Sequence, residues 1–578
     1  MPKVIIIGGG IAGMSAAHEL IERGFAVDVY ESNPTYLGGK ARSEAASGIV
    51  PNPLPGEHGF RFFPGFYKHL THTMKRIPHG SGTCFDNLVA TETILFARKN
   101  QDPLKVLARF PLTASDLNLV FETITGGATS AGLTAAESGF FKDKIFQLLT
   151  SSKERFEKEY EQLAWWYFVE ADRFSDTYKT LLADGLTKSL VAAKARQMST
   201  RVGGSIFLQL IYNMADPDLP ADRILNGPTN EQWLNPWQTY LTTKGVNFFK
   251  NHTATEIQIS ARQVQRIKVR DGATSTDIFP QGEYYLLAVP VERATELLSN
   301  LAITRLDPIM ELPAELATKV SWMNGIQYFL NTDIPISKGH IIHIGSEWAV
   351  TSISQVQFWD PADYDIQSQS GGLVKGVLSV DISDWLDTEF NTHLAKDCSD
   401  QQIAELAYNQ IQQSLIVGGV PILPVNMNDV VVGFHLATSL ERDPVTRVLN
   451  NKEPLLVNTI NSWDLMPKSF TGIPNLFLAG DYIRTNTGLA TMEAANESAR
   501  RAVNCIIDAS GIGKPYAKVW RLKEWAMLWP YKWYDRKRYE KGIPYSSDFP
   551  WWLHVLAVIW AIICLIAWAV RYVFNLIF

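Results

Sequence analysis

The chain opens on four consecutive apolar positions, Val4 to Ile7, that lead at once into glycines. So short a run, with turn residues behind it, predicts a buried strand over Lys3–Ile7 rather than the apolar stretch of a signal peptide. Apolar positions then recur at helical spacing over residues 11–23, where Gly24 stops the pattern, and a second strand is predicted over Ala26–Glu31. Strand, helix and strand in this order predict a βαβ unit with a parallel sheet. Further buried strands are predicted at residues 284–290 and 475–479. After the second of these, a helix begins near Thr491 with Met492, Ala495, Ala499, Val503 and Ile506 as its apolar stripe. Between these segments, residues 140–212 read as helices that include the aromatic stripe Phe156, Tyr160, Leu163 and Tyr167. Residues 322–330 and 348–359 read as strands of a second sheet, with Gln327, Tyr328, Gln355 and Trp359 as candidate pocket residues. At the far end, residues 551–570 carry no formal charge, and about 20 apolar residues cross a bilayer core. A membrane helix is expected there.

Composition narrows the function classes. A chain of 578 residues, 46% hydrophobic and 19% charged, buries a sizeable core and is not disordered. Its net charge of −6 gives no overall attraction to nucleic acid, so no nucleic-acid partner is expected. The four cysteines lie far apart, which excludes a disulfide scaffold, a zinc ribbon and an iron–sulfur ferredoxin. His69/His72 and His340/His343 lack the intervening Glu of a zinc hydrolase, and no metal is expected. The charge is uneven, because residues 514–541 hold nine Lys/Arg against three Asp/Glu. Trp525, Trp529 and Trp533 alternate with those basic residues, a combination suited to lipid headgroups, while Pro530 argues against one straight helix. Positive charge before the apolar stretch, with only Arg571 after it, predicts one C-terminal span and the body of the protein on the cytoplasmic side.

The first strand and helix are joined by Gly8-Gly9-Gly10-Ile11-Ala12-Gly13, a G-x-G-x-x-G in the context that gives it meaning. Gly8 permits the tight turn, Gly10 lets backbone approach a pyrophosphate, and Gly13 allows close helix–strand contact. The helix N-terminus, with Ile11 and Ala12, then faces phosphate charge. Glu31 closes the second strand, where a carboxylate accepts ribose hydroxyls. These features predict a dinucleotide site without separating NAD from FAD.

Gly38-Gly39-Lys40-Ala41-Arg42-Ser43 follows Glu31, and here the chain resembles the FAD-dependent flavin amine oxidase and carotenoid (phytoene) desaturase superfamily. The later Gly480-Asp481 and Thr491-Met492-Glu493-Ala494 match it a second time, and residues 245–257 with 284–290 a third time, more loosely. The resemblance implies FAD as cofactor and an α/β fold, a Rossmann-type FAD-binding domain with an inserted α+β substrate domain. It implies that Lys40 and Arg42 face the pyrophosphate or flavin, that Glu57, His58 and Gly59 approach the isoalloxazine, and that Ala254 meets the adenine. Asp481, after Gly480, would bond the ribityl or phosphate region, with Thr491 and Met492 at the flavin's pyrimidine edge. The expected FAD-binding segments are 1–70, 240–300 and 450–510. Residues 71–239 and 301–449 form the substrate domain, 511–550 a membrane-proximal stretch and 551–571 the anchor.

Within the superfamily, amine oxidases carry an aromatic residue where this chain has Thr491, and a glycine where it has Ala494. The desaturase-like branch is therefore expected, with an apolar isoprenoid, carotenoid-like or other lipid substrate giving hydride to the flavin. A membrane anchor agrees, since moving a polyprenyl chain into water costs about 0.8 kcal/mol per CH₂. Electrons would pass on to a quinone or oxygen, and His58 is the candidate base if the reaction needs one. The alternatives are a flavin amine oxidase acting on a small amine, an isomerase without net oxidation, and a non-catalytic flavoprotein scaffold. The run Phe60-Arg61-Phe62-Phe63-Pro64-Gly65-Phe66-Tyr67 directly follows the flavin-proximal segment and is a candidate substrate wall.

Overall fold

The computed structural model describes residues 1–99, 101–109, 132–185, 187, 194–215, 219–386 and 393–577. Strand β1 (Lys3–Ile7) runs into helix α1 (Ile11–Ile21), and β2 (Ala26–Glu31) returns parallel to β1 with Lys3 opposite Ala26 and Ile7 opposite Tyr30. Three strands from distant parts of the chain complete this parallel sheet: β3 (Asn247–Lys250), β4 (Tyr284–Leu287) and β5 (Leu476–Leu478). Their order is β3-β2-β1-β4-β5. The inner strands are almost wholly apolar because helices and loops cover both faces. One face carries α1 and the later helix α3 (Met492–Ser510), whose stripe Ala495, Ala499, Val503 and Ile506 packs with Ala16, Ala17 and Leu20. This is an α/β fold with a Rossmann-like parallel sheet.

A second sheet has seven strands in the order 431–436, 324–330, 376–382, 350–354, 341–344, 93–98 and 101–107. All its neighbours are antiparallel except the pair 341–344 and 93–98. One face is sealed by the helix Asp400–Ser414, through Ile403, Ala407 and Ile411. Tyr328 donates to the Ala404 carbonyl on that side, and Trp359 packs in a separate cluster with Val374 and Val377. Gln327 donates to the Pro55 carbonyl and accepts from Glu57 N–H, and Gln355 lies beside Ile353 and Phe60. The four candidate pocket residues therefore serve packing and loop attachment rather than the main cavity.

The aromatic stripe predicted at 156–167 is also core. Tyr160, Trp165 and Trp166 are buried in a helical cluster with Leu148, Tyr178 and Leu208, while Tyr167 faces outward. The part of that stretch at 188–193 lies outside the described residues. Helix α2 (Thr200–Ala215) belongs to the same cluster through Leu208 and Tyr212.

The C-terminal stretch returns across this cluster. Gln209 of α2 bonds both the N–H and the carbonyl of Lys523, and the Tyr212 and Trp525 rings meet at 4.8 Å. Pro530 sits in the first turn of helix α4 (Trp529–Tyr539), where its missing N–H costs nothing. Asp535 of α4 is buried against Arg155, with 2.9 Å between the charged atoms, and also accepts from Ser152 N–H at 2.8 Å. The terminal helix α5 (Trp551–Ile577) contains the 20-residue apolar window Trp551–Val570, long enough to cross a bilayer and only 11% buried. Its first turns pack on the preceding segment: Leu553 and Ala557 are buried, and Trp560 donates to the Ala526 carbonyl at 2.8 Å.

Candidate active site

One cavity of about 660 Å³ lies between the two sheets, and its wall begins at the carboxyl end of β1. Gly8, Gly10, Ile11 and Ala12 line it, with Glu31 and Ser32 from the end of β2. A Cβ at Gly13 would overlap the Gly8 carbonyl oxygen, so this glycine lets α1 start hard against the turn and stands behind the wall. A Cβ at Gly10 would meet nothing nearer than the Gly39 Cα at 3.7 Å, which leaves that side open. No side chain caps the N-terminus of α1, so its first backbone N–H groups remain available to an anion. Glu31 accepts from Gly9 N–H at 2.6 Å and Asn33 N–H at 2.7 Å, which fixes its carboxylate beside the turn.

Gly38, Gly39 and Lys40 cover the opposite side of the turn, and Lys40 bonds the Pro454 carbonyl and lies 3.4 Å from Glu292. Arg42 is buried behind them, donating to the Gly39 carbonyl at 2.9 Å and pairing with Glu44 and Glu453. Ala254 lines the cavity with Thr253, and Gly480, Asp481, Thr491 and Met492 line it from the β5–α3 connection. The Thr491 hydroxyl accepts from Ala494 N–H and caps α3.

His58 reaches the cavity, whereas Glu57 and Gly59 stand behind it. Glu57 accepts from Ser43 Oγ, Thr229 N–H and Thr229 Oγ1, and burial pushes its carboxyl up. Burial pushes His58 down to about 4, so the imidazole is neutral at pH 7; neither ring nitrogen has a hydrogen-bond partner, and Nδ1 lies 3.9 Å from Glu453 Oε2. Thus 14 of the 18 residues singled out from sequence line one cavity, and Gly13, Arg42, Glu57 and Gly59 support it from behind.

The remaining wall is largely apolar: Phe60, Phe62, Phe66 and Tyr67, with Ile206 and Leu210 from α2. Arg61, from the run read as a candidate substrate wall, interrupts it, as do Thr351, Asp381 and His340, which sequence reasoning did not single out as site residues. Asp381 carries a legible signal, an acid inside the strand Gly376–Ile382, where every other residue is buried.

The description "Flavin containing amine oxidoreductase" matches residues 11–507, most of the chain. The chain belongs to that family. Family membership implies FAD, and the site fits it: an elongated cavity, an uncapped helix N-terminus at a glycine turn, and a carboxylate at the end of β2. Among relatives, a zeta-carotene desaturase of Synechocystis is 23% identical over 87% of this chain and 97% of its own. A chloroplastic/chromoplastic zeta-carotene desaturase of Capsicum annuum is 38% identical, over 19% of this chain and 18% of its own. The plant relatives are thus matched over less than a fifth of their length. Among solved structures, an oxidoreductase from Methanosarcina mazei aligns with TM-score 0.56 at 13% identity, over 88% of this chain and all of its own. Putrescine oxidase bound to putrescine aligns with TM-score 0.55 at 12% identity, over 88% of this chain and 99% of its own. These two likenesses establish the shared fold. The chain is an FAD-dependent oxidoreductase of the amine oxidase and desaturase superfamily.

Proposed function

We propose that this protein is a membrane-anchored oxidoreductase that removes hydride from an apolar isoprenoid, carotenoid-like or other lipid substrate. The observation that carries the reading is the wall built from Phe60, Phe62, Phe66, Tyr67, Ile206 and Leu210, in the same cavity as the glycine turn. Thr491 supports it, standing where the amine oxidases carry an aromatic residue, and so do the carotene desaturases among the relatives.

Gly8, Gly10 and the N-terminus of α1 would hold the pyrophosphate of FAD, Glu31 a ribose, and Ala254 the adenine. Gly38, Gly39, Lys40, Gly480 and Asp481 would close around the phosphates and ribityl chain, with Arg42 and Gly13 keeping that backbone in place. Thr491 and Met492, at the start of α3, would face the flavin ring, where the positive end of the helix favours the charge of the reduced state. FAD, when bound, supplies the two-electron acceptor for the hydride. The protein orients the C–H bond, and its aromatic wall excludes water. His58, neutral and without a hydrogen-bond partner, with Glu453 3.9 Å from Nδ1, is the group available to accept a proton at a ring nitrogen. The division of the chain into FAD-binding segments 1–70, 240–300 and 450–510 and an inserted substrate domain is part of this reading.

Helix α5 would span the bilayer with the body on the cytoplasmic side, where the basic residues of 514–541 face anionic headgroups. A membrane quinone or oxygen would take the electrons. The test is anaerobic titration of the detergent-purified holoprotein, followed by flavin absorbance. Polyprenyl and carotenoid-type lipids should bleach the flavin and a panel of primary and secondary amines should not. Bleaching by amines alone would assign the chain to amine oxidation.

A further inference from the structure

We infer that the second-sheet wall of the cavity is a subsite for a neutral oxygen group, a hydroxyl, on an otherwise apolar substrate, held between Arg61 and Asp381. The inference rests on the lipid-substrate reading and narrows it: a bare hydrocarbon satisfies the aromatic wall but not these two groups.

Both residues line the cavity. Arg61 has Nε and Nη2 buried without a hydrogen-bond partner, and its closest acid, Glu57, is 3.9 Å away. Asp381 lies on the strand Gly376–Ile382 directly opposite Thr351, so both side chains project from the same face of the sheet, and Thr351 also lines the cavity. The Asp381 carboxylate sits over Gly59, where a Cβ would collide with Oδ1, and accepts from Phe60 N–H. That contact holds the acid beside the turn that carries Arg61, yet the two do not come close enough to form an ion pair. A guanidinium with buried, unpartnered donors, facing the same space as a half-buried carboxyl, is costly unless a ligand satisfies it.

The surrounding charges select the ligand. Arg61 and Arg42 are outnumbered by Glu57, Asp381, Glu44 and Glu453, all of which act on this corner. Burial is the largest influence on Asp381 and outweighs Arg61 and Phe60 N–H, raising it to about 7; a further anion would be disfavoured in the same way. A carboxylate ligand would meet that repulsion, whereas a hydroxyl uses both groups, accepting from Arg61 and donating to Asp381. A hydrocarbon would leave the Arg61 donors buried and unmade.

The test compares three probes on one C15 skeleton, farnesol, farnesoic acid and farnesene, added at pH 8 to the FAD-loaded protein in detergent. Binding is read from perturbation of the flavin absorbance band. Farnesol should bind about tenfold or more tightly than either other probe, as expected for a hydrogen bond to a charged group. Arg61→Met should remove that preference while leaving farnesene affinity and flavin content unchanged, and Asp381→Asn should weaken farnesol more than farnesene. If a variant does not fold, the wild-type ranking decides alone. Equal affinities for the three probes, or preference for the acid, would overturn the inference while leaving the lipid reading intact. Loss of flavin from both Arg61→Met and Arg61→Lys would also overturn it, because Arg61 would then serve the cofactor. Response to amines and to none of the three probes would instead remove the lipid reading itself.

Discussion

Glu493 is the residue whose replacement tests the architecture of the site most sharply. It stands in the first turn of α3, and its carboxylate is buried. Oε1 accepts from Lys68 N–H at 2.7 Å, His69 N–H at 2.8 Å and His69 Nδ1 at 2.7 Å, while Oε2 accepts from Leu70 N–H at 2.9 Å. His69 continues the chain of contacts, since its Nε2 accepts from Trp520 N–H at 2.8 Å. One carboxylate thus ties the helix that begins at the cavity wall, the turn that follows Phe66 and Tyr67, and the C-terminal segment. Burial alone would raise its pKa, but His69 and the backbone N–H groups outweigh burial and hold the carboxyl below its usual range. In Glu493→Gln the amide oxygen can replace Oε1, but the NH₂ group then faces the Leu70 N–H, donor against donor. One charge-assisted bond is lost outright, worth about 1.5–3 kcal/mol, and three others weaken with the charge. Relief of carboxylate desolvation offsets part of this, leaving a net cost of about 2–4 kcal/mol. Thermal unfolding of the holoprotein, followed by release of flavin fluorescence, should shift down by about 2–3 °C for a chain of this length. A variant that melts within about 1 °C of the wild type and keeps its flavin would refute the role given to this carboxylate.

Three further outcomes follow from the geometry. Gly13→Ala places a Cβ on the Gly8 carbonyl oxygen, so the purified variant should contain little flavin, measured by absorbance after gel filtration; stoichiometric FAD would contradict the tight turn. The Asp381 carboxyl is held at about 7 by burial against an ordinary 3.8, so the folded protein keeps this proton more tightly than the unfolded chain. Its contribution to stability is therefore greatest below pH 4, falls between pH 4 and 7 by up to about 4 kcal/mol, and is flat above. Asp381→Asn should remove that slope from denaturation curves measured across the range, and identical slopes would contradict the placement. Deleting residues 546–578 should release the protein from membranes in a sedimentation assay with its flavin spectrum unchanged; a truncated form still sedimenting would show that the basic, Trp-rich stretch binds lipid by itself.

The parts of the site that depend on backbone chemistry were legible in the sequence. A turn at Gly8–Gly13 tight enough to start α1 against β1, and an acid at the end of β2, leave local signatures because neighbouring residues build them. The Gly480-Asp481 and Thr491-Met492 segments were singled out through the family resemblance, and they reach the cavity although 440 and more residues separate them from the first turn. The pairing that makes the polar corner was not legible, although Asp381 stands out as the acid of an otherwise buried strand. Arg61 belongs to an aromatic run and Asp381 to a strand 320 residues later, and only the packing of Gly325 against Gly59 brings them to one wall. The aromatic stripe at 156–167 packs as core, with Tyr160 buried among Trp165 and Trp166, while the aromatic residues that face the cavity sit in the irregular loop 60–67. Tyr328 shows a different limit: strand alternation says that a residue faces one side of a sheet, not which side holds the cavity, while Trp359 lies beyond the strand Val350–Ser354 that was expected to reach it.

The most direct test of the central claim is the mass of the product from a single anaerobic turnover. Holoprotein is mixed with a polyprenyl or carotenoid-type lipid while the flavin spectrum is followed, and the mass of the extracted lipid is compared with the starting material by mass spectrometry. The account predicts a product lighter by two hydrogens, formed in the same amount as the flavin reduced. A product of unchanged mass would identify an isomerase, and a lipid recovered unaltered while an amine is oxidised would contradict the account altogether.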